Sequence, residues 1–204
     1  RVPIVAGMGG NDTKALVEQL RTFNLADTVA ILSVVPYYNK PTQEGIYRHF
    51  MAVAEASPVP VIIYNVPGRT GLNMTAQTTL RLAHASNKIV AVKEACGNIE
   101  QMQEILDGRP EGFLVLSGDD GLTVELVKRG GDGVISVAAN TFPERFCGCV
   151  HKAMAGKVGG RGLLQKLKKV YNDINFYCLT KTIYNSLFCH TRALIFTIKY
   201  IKIV

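Results

Sequence analysis

The chain has 204 residues, 48% of them hydrophobic and 19% charged, which suits one domain with its own core and excludes disorder. Its net charge of +7 sits at one end: residues 1–150 hold 13 Lys and Arg against 15 Asp and Glu, and residues 151–204 hold 10 against 1. A slightly acidic body with no recognition motif predicts no nucleic-acid partner, and no unbroken run of about 18 apolar residues predicts no membrane span.

The chain opens on Arg1-Val2-Pro3-Ile4-Val5-Ala6, a strand, and Gly7-Met8-Gly9-Gly10, a turn. It lacks the charged start and cleavage site of a signal peptide. Without a starting Met it is expected to begin inside a longer protein. Six Val- and Ile-rich runs read as buried strands, at 2–6, 29–35, 59–66, 89–95, 112–118 and 133–138. Helical spacing lies between them, each stretch opened by a capping residue. Asn11-Asp12-Thr13 precedes Leu16, Val17 and Leu20; Thr42 precedes Ile46, Phe50, Val53 and Ala54; Thr75 precedes Leu80, Leu82 and Ala83; Asn98 precedes Ile99, Met102, Ile105 and Leu106. Residues 143–176 read as two further helical stretches broken at Gly159-Gly160. From Tyr177 to Val204 there is no acidic residue, no Gly and no Pro, and the segment from Ile195 to Val204 fits an aggregation-prone strand. The expected divisions are therefore 1–142, 143–176 and 177–204.

Repeated strand-helix units imply a parallel sheet with helices packed on it, either doubly wound or a (β/α)₈ TIM barrel. The strand ends decide for the barrel: Gly9-Gly10-Asn11, Tyr37-Tyr38-Asn39, Tyr64-Asn65 with Arg69, Lys93-Glu94, Ser117-Gly118-Asp119-Asp120, and Ser136. A barrel gathers all such ends at one mouth, whereas an open sheet concentrates function at one switch point. Six strands make an incomplete α/β barrel, followed by C-terminal helices. Five cysteines (Cys96, Cys147, Cys149, Cys178, Cys189) and four histidines (His49, His84, His151, His190) show no disulfide framework and no ligand spacing. Free thiols in a reducing cytoplasm and no bound metal are expected.

Lys93 stands near the end of the apolar strand Ile89-Val90-Ala91-Val92-Lys93-Glu94-Ala95, where desolvating an ammonium needs a reason. One reading is a salt bridge, with Glu94 as partner, or an edge position. The other is an amine with a lowered pKa that attacks a ketone to form a Schiff base. Tyr64 ends the preceding strand, so a phenol able to move protons shares the mouth with that amine. Arg69, on the loop that follows, could grip a substrate carboxylate in two parallel hydrogen bonds.

Five segments, in order, are Pro36-Tyr37-Tyr38-Asn39-Lys40-Pro41-Thr42-Gln43-Glu44-Gly45, Tyr64-Asn65-Val66-Pro67-Gly68-Arg69-Thr70-Gly71, Lys93-Glu94-Ala95, Leu116-Ser117-Gly118-Asp119-Asp120 and Gly133-Val134-Ile135-Ser136-Val137. Through them the chain, from Val2 to about Phe176, resembles the pyruvate-dependent class I aldolases of the dihydrodipicolinate synthase and N-acetylneuraminate lyase superfamily, closest to the first branch. The resemblance implies that Lys93 binds pyruvate as a Schiff base and that Tyr64 and Tyr38 relay protons, Tyr38 reaching into a neighbouring subunit's site. It implies that Arg69 holds the carboxylate of an incoming aldehyde, L-aspartate semialdehyde. Gly118 and Ile135 then contact the keto acid through backbone, and Asn11 and Tyr37 form part of a lysine feedback site. No cofactor beyond the covalent Schiff base, a homodimer or homotetramer, and a cytoplasmic enzyme of lysine and diaminopimelate biosynthesis follow from the same likeness.

Three departures qualify it. Ala15 replaces a glutamate often found in the feedback site, which argues against lysine inhibition. The family's Gly-Thr-Thr-Gly-Glu segment is absent, and the match fades near Phe176, as a shifted reading frame or a read-through intron would leave it. The alternatives are an aldolase for N-acetylneuraminate or a keto-deoxy sugar acid, and an inactive truncated fragment. Gly68-Arg69 and the Tyr37-Tyr38 pair argue against the sugar substrate.

Overall fold

In a computed structural model, the structure describes residues 3–157 and 195–197. Six strands run parallel: β1 (Ile4–Gly7), β2 (Thr28–Val34), β3 (Val61–Asn65), β4 (Ile89–Glu94), β5 (Leu114–Ser117) and β6 (Gly133–Val134). They lie in chain order across one sheet, and β7 (Ile195–Thr197) pairs antiparallel on the free side of β1. The strand expected in the tail is thus present over three residues. The division at 176/177, the second helical stretch, Gly159-Gly160, Cys178, Cys189 and His190 lie outside the described residues.

The helices are α1 (Thr13–Thr22), α2 (Gln43–Ala56), α3 (Pro67–Thr70), α4 (Ala76–Ala85), α5 (Ile99–Gly108), α6 (Thr123–Lys128) and α7 (Pro143–Met154). Four start where the sequence puts a cap: the side chains of Asp12, Thr42, Thr75 and Asn98 accept from backbone N–H groups of α1, α2, α4 and α5. Each such cap is worth about 1 kcal/mol.

Helices cover one face of the sheet, which settles barrel wall against doubly wound sheet. Residues Ile31, Ile63, Val92 and Val115 point into a core shared with Leu16 and Leu20 of α1, Phe50 of α2, Leu82 of α4 and Met102 and Ile105 of α5. Among the described residues, the alternate positions Val5, Ala30, Leu32, Ile62, Ala91 and Leu116, with Ile135, form a second cluster against which Tyr64, Val90 and Leu114 pack. Period-two alternation sends successive side chains to opposite faces, so these second positions line the inside of a partial barrel. Among the described residues no helix is long and apolar enough to cross a membrane.

Three expectations need correction. The last strand is two residues long rather than six, because after Ile135 the chain turns into a 3-10 helix at Ala138–Asn140 whose first N–H is taken by the Asp120 carboxylate (2.8 Å). Arg69 sits in the one-turn helix α3 rather than in a loop; Pro67 starts it and Gly71, at φ 73°, ends it. The helix after Pro143 ends at Met154, where Gly156 takes the left-handed conformation (φ 68°).

Candidate active site

The parallel register sets Tyr64 beside Lys93, and Lys93 beside Leu116. Lys93 is therefore on an interior strand, not an edge, and its side chain follows Ala91 to the barrel side. Glu94, the next residue, faces the helices. The salt bridge between them does not exist, since neighbours on a strand point apart.

Lys93 is 6% exposed and its Nζ lies 4.0 Å from the centre of the Tyr64 ring. An amine on an aromatic face keeps some attraction for its charge, yet gives up hydration. Burial dominates and brings the ammonium pKa down from 10.5 to about 8; Asp120 pulls it up and Arg69 pushes it down further. The free amine at neutral pH is then on the order of a hundredfold more abundant than for a solvated lysine. Gly118 makes the room. A Cβ there would lie 2.8 Å from the Ala95 Cβ and 3.0 Å from the Lys93 Cε.

Asp120 is 7% exposed. Burial raises its carboxyl pKa, against Ser136 and the N–H groups of Ala138 and Val137, which lower it. Its Oδ1 finds no partner among the described residues. The strand-end reading named Asp120 but gave it no part in the site. Its effect on Lys93, a residue 27 positions earlier, depends on the β4–β5 pairing and the following loop.

The other candidates divide into two places. Ile135 is buried in the barrel-side cluster with Tyr64, and its N–H donates to the Ser117 carbonyl (2.9 Å). Arg69 is exposed on α3, close enough to act on Lys93. Asn11, Tyr37 and Tyr38 belong to a second cluster over the ends of β1 and β2. Asn11 Nδ2 donates to the Tyr37 carbonyl (3.1 Å), and Asn39 Nδ2 donates to the Asn11 carbonyl (3.0 Å). Tyr38 is 87% exposed with φ 72°. The Asn39 N–H donates to the Tyr37 carbonyl (2.9 Å), closing a γ-turn of the strained hand around Tyr38. A side chain held in that conformation costs about 1–3 kcal/mol, and such strain gathers at working sites. The Tyr38 N–H reaches the Thr70 carbonyl (3.4 Å), tying the turn to the helix that carries Arg69.

Sequence reading also missed a polar cluster on the helix side. Asn65 and Glu94, both fully buried, are register partners. The Asn65 amide nitrogen lies 3.0 and 3.1 Å from the two Glu94 oxygens. Burial raises the Glu94 carboxyl pKa while the hydrogen bonds from Asn65, Cys96 and Gln101 lower it. The signal was present: two polar residues in otherwise apolar strands, each one position past a candidate. Cys96, Cys147 and Cys149 are free thiols, and the Cys96 pKa is pushed up to about 12, chiefly by burial. Among the described residues no three His, Cys, Asp or Glu side chains are placed to hold a metal ion.

The sequence model of the Dihydrodipicolinate synthetase family matches residues 1–189. A 4-hydroxy-tetrahydrodipicolinate synthase of Parabacteroides distasonis is 56% identical over 156 residues, covering 76% of this chain and 52% of that protein. One from Flavobacterium psychrophilum is 51% identical over 175 residues, covering 86% of this chain and 59% of that protein. The chain thus spans about half the length of the curated relatives it matches. Among solved structures, dihydrodipicolinate synthase from Aquifex aeolicus superposes with a TM-score of 0.79 at 38% identity, over 83% of this chain and 58% of that one. The 4-hydroxy-tetrahydrodipicolinate synthase of Methylacidiphilum fumariolicum SolV gives 0.79 at 32%, over 92% and 65%. A one-sided helical layer, a lysine stripped of water inside the partial barrel, and a match along most of the sequence agree: the chain belongs to the dihydrodipicolinate synthetase family.

Proposed function

We propose that this chain carries the pyruvate-activating centre of a 4-hydroxy-tetrahydrodipicolinate synthase-type lyase. The observation that carries the reading is the Lys93 amine, 6% exposed and 4.0 Å from the Tyr64 ring. The free amine attacks C2 of pyruvate, and the carbinolamine loses its hydroxyl as water once protonated, leaving an iminium. A C3 proton leaves to give the enamine, with Tyr64 and a neighbouring subunit's Tyr38 moving protons to and from solvent. The enamine carbon attacks the aldehyde of L-aspartate semialdehyde, whose carboxylate Arg69 holds. The adduct's amino group then adds to C2, closing the ring and releasing the Lys93 amine. Backbone at Gly118 and Ile135 lies against the keto acid in this scheme, and the chemistry calls for no cofactor beyond the covalent Schiff base.

The exposed, strained turn at Tyr38 supports assembly as a homodimer or homotetramer, with the tyrosine crossing a two-fold interface. Asn11 and Tyr37 share one hydrogen-bonded cluster, as a lysine-binding pair would, with Ala15 in place of the acidic partner. A cytoplasmic enzyme of lysine and diaminopimelate biosynthesis fits these substrates.

Borohydride added to the chain with pyruvate should fix one three-carbon adduct on the Lys93 peptide, and Lys93→Ala should abolish it. An adduct elsewhere, or none, removes the mechanism. Turnover of aspartate semialdehyde with pyruvate, beside cleavage of N-acetylneuraminate, separates this reading from a sugar-acid aldolase.

A further inference from the structure

Behind the candidate site, on the helix side of the same two strands, lies a buried polar cluster that the proposed chemistry does not use. Asn65 follows Tyr64 on β3 and Glu94 follows Lys93 on β4. The pair Asn65↔Glu94 is one register step beyond the pair Tyr64↔Lys93. Both residues are fully buried. Asn65 Nδ2 lies within 3.1 Å of both Glu94 oxygens, and also 2.9 Å from Asn73 Oδ1 and 3.1 Å from the Met74 carbonyl. Asn65 Oδ1 accepts from the Met74 N–H (3.1 Å). Glu94 further accepts from the Cys96 N–H (2.9 Å) and from Gln101 Nε2 on α5 (3.3 Å). Gln101 also reaches the Met74 carbonyl (3.1 Å). Three elements meet there: the ends of two strands and the first turn of a helix.

We propose that Asn65 and Glu94 are positioning residues, a buried clamp on the helix side of β3 and β4 that holds Lys93 against Tyr64 on the barrel side. A one-residue slip between parallel strands would send the amine and the ring to opposite faces. Apolar side chains on the helix side tolerate small slips, because hydrophobic contact is non-directional. Hydrogen bonds across the strand ends do not, since a displaced donor leaves a buried carboxylate short of a partner. The clamp therefore supplies the directional restraint that the apolar wall lacks. Its role is geometric: the charged groups acting on Lys93 are Asp120 and Arg69, while Glu94 works through the strand pair.

The inference rests on Lys93 being the amine of the proposed chemistry, and its test needs no pyruvate, so failure of the one is separable from failure of the other. Reductive methylation with formaldehyde and cyanoborohydride, read on the Lys93 peptide by mass spectrometry across pH, gives the midpoint at which that amine becomes free. In Asn65→Ala, which removes no charge, water gains the site and the midpoint should rise by at least one unit, about a tenfold loss of free amine at pH 7. Gln101→Ala, at a half-buried position that spares the strands, should shift it less in the same direction. Glu94→Gln keeps an acceptor for the Cys96 N–H but sets an amide against the Asn65 and Gln101 donors, and should shift the midpoint in the same direction by less than Asn65→Ala. Ile105→Val, a core truncation on α5 outside the cluster, should leave it unchanged. The proposal is overturned if Gln101→Ala and folded Asn65→Ala titrate like the parent. It is equally overturned if Ile105→Val shifts as far as they do, or if Glu94→Gln shifts as far as Asn65→Ala.

Discussion

The two faces of the sheet share strands but not physics. On the helix side, Ile31, Ile63, Val92 and Val115 meet five helices in one continuous core, and the buried carboxylate of Glu94 has donors around it. On the barrel side a thin cluster of strand residues surrounds Lys93, beside an Asp120 oxygen without a partner among the described residues. Both faces hold buried polar atoms without a partner among the described residues, Ser33 Oγ and His49 Nε2 on the helix side and Asp120 Oδ1 on the barrel side. The helix side, however, surrounds its buried carboxylate with donors, while the barrel side holds an amine stripped of water. Stability and reactivity are thereby separated by a single step along each strand.

The largest test of that contrast removes the costly group. A lysine whose pKa falls from 10.5 unfolded to about 8 folded loses protons on folding between those values, so stability should rise as pH climbs through that window. Below it the full penalty stands, on the order of 3 kcal/mol. Lys93→Met should therefore stabilise the chain at neutral pH by about 1–3 kcal/mol while abolishing the pyruvate adduct. Urea unfolding that finds Lys93→Met weaker than the parent would mean the barrel side carries no such penalty.

The helix side should show the same sign of pH dependence at one position, in a lower window. His49 is 3% exposed, with Nδ1 bonded to the Thr13 hydroxyl (2.8 Å), and burial lowers its pKa from 6.5 to about 4. The unfolded chain binds the extra proton, so stability should fall as pH drops from about 6.5 to 4, by roughly 2–3 kcal/mol. His49→Leu should flatten that limb. Persistence of an equally steep acid loss in the variant would place the sensitivity elsewhere.

The smallest expected effect lies at Gly118. Its missing Cβ leaves space for Ala95 and Lys93, so Gly118→Ala should cost about 1–2 kcal/mol through overpacking. It should also slow adduct formation by moving the Lys93 side chain. Thermal melting and adduct kinetics check the two parts, and an adduct rate equal to the parent's would show that the lysine has room to spare.

Local chemistry made much of the fold legible. Buried parallel strands announce themselves as β-branched runs, and Asp12, Thr42, Thr75 and Asn98 mark helix starts because their side chains satisfy N–H groups within three residues. Lys93 and Tyr64 stood out as polar groups in apolar strands. What stayed hidden depends on register. The Asn65–Glu94 contact joins residues 29 positions apart, and the influence of Asp120 on Lys93 crosses two elements. Of the two readings of Lys93, the salt bridge with Glu94 is one that strand alternation alone excludes. The short β6 needed knowledge that Asp120 would capture the Ala138 N–H.

The central claim is that the barrel side strips water from one lysine. It is tested most directly by NMR titration of the Lys93 side-chain methylene beside the amine, using carbon-13-labelled lysine and Lys93→Met to assign the signal. The account expects a midpoint near 8, with the remaining lysines following the solvated range near 10.4. A Lys93 midpoint at or above about 10 would contradict it.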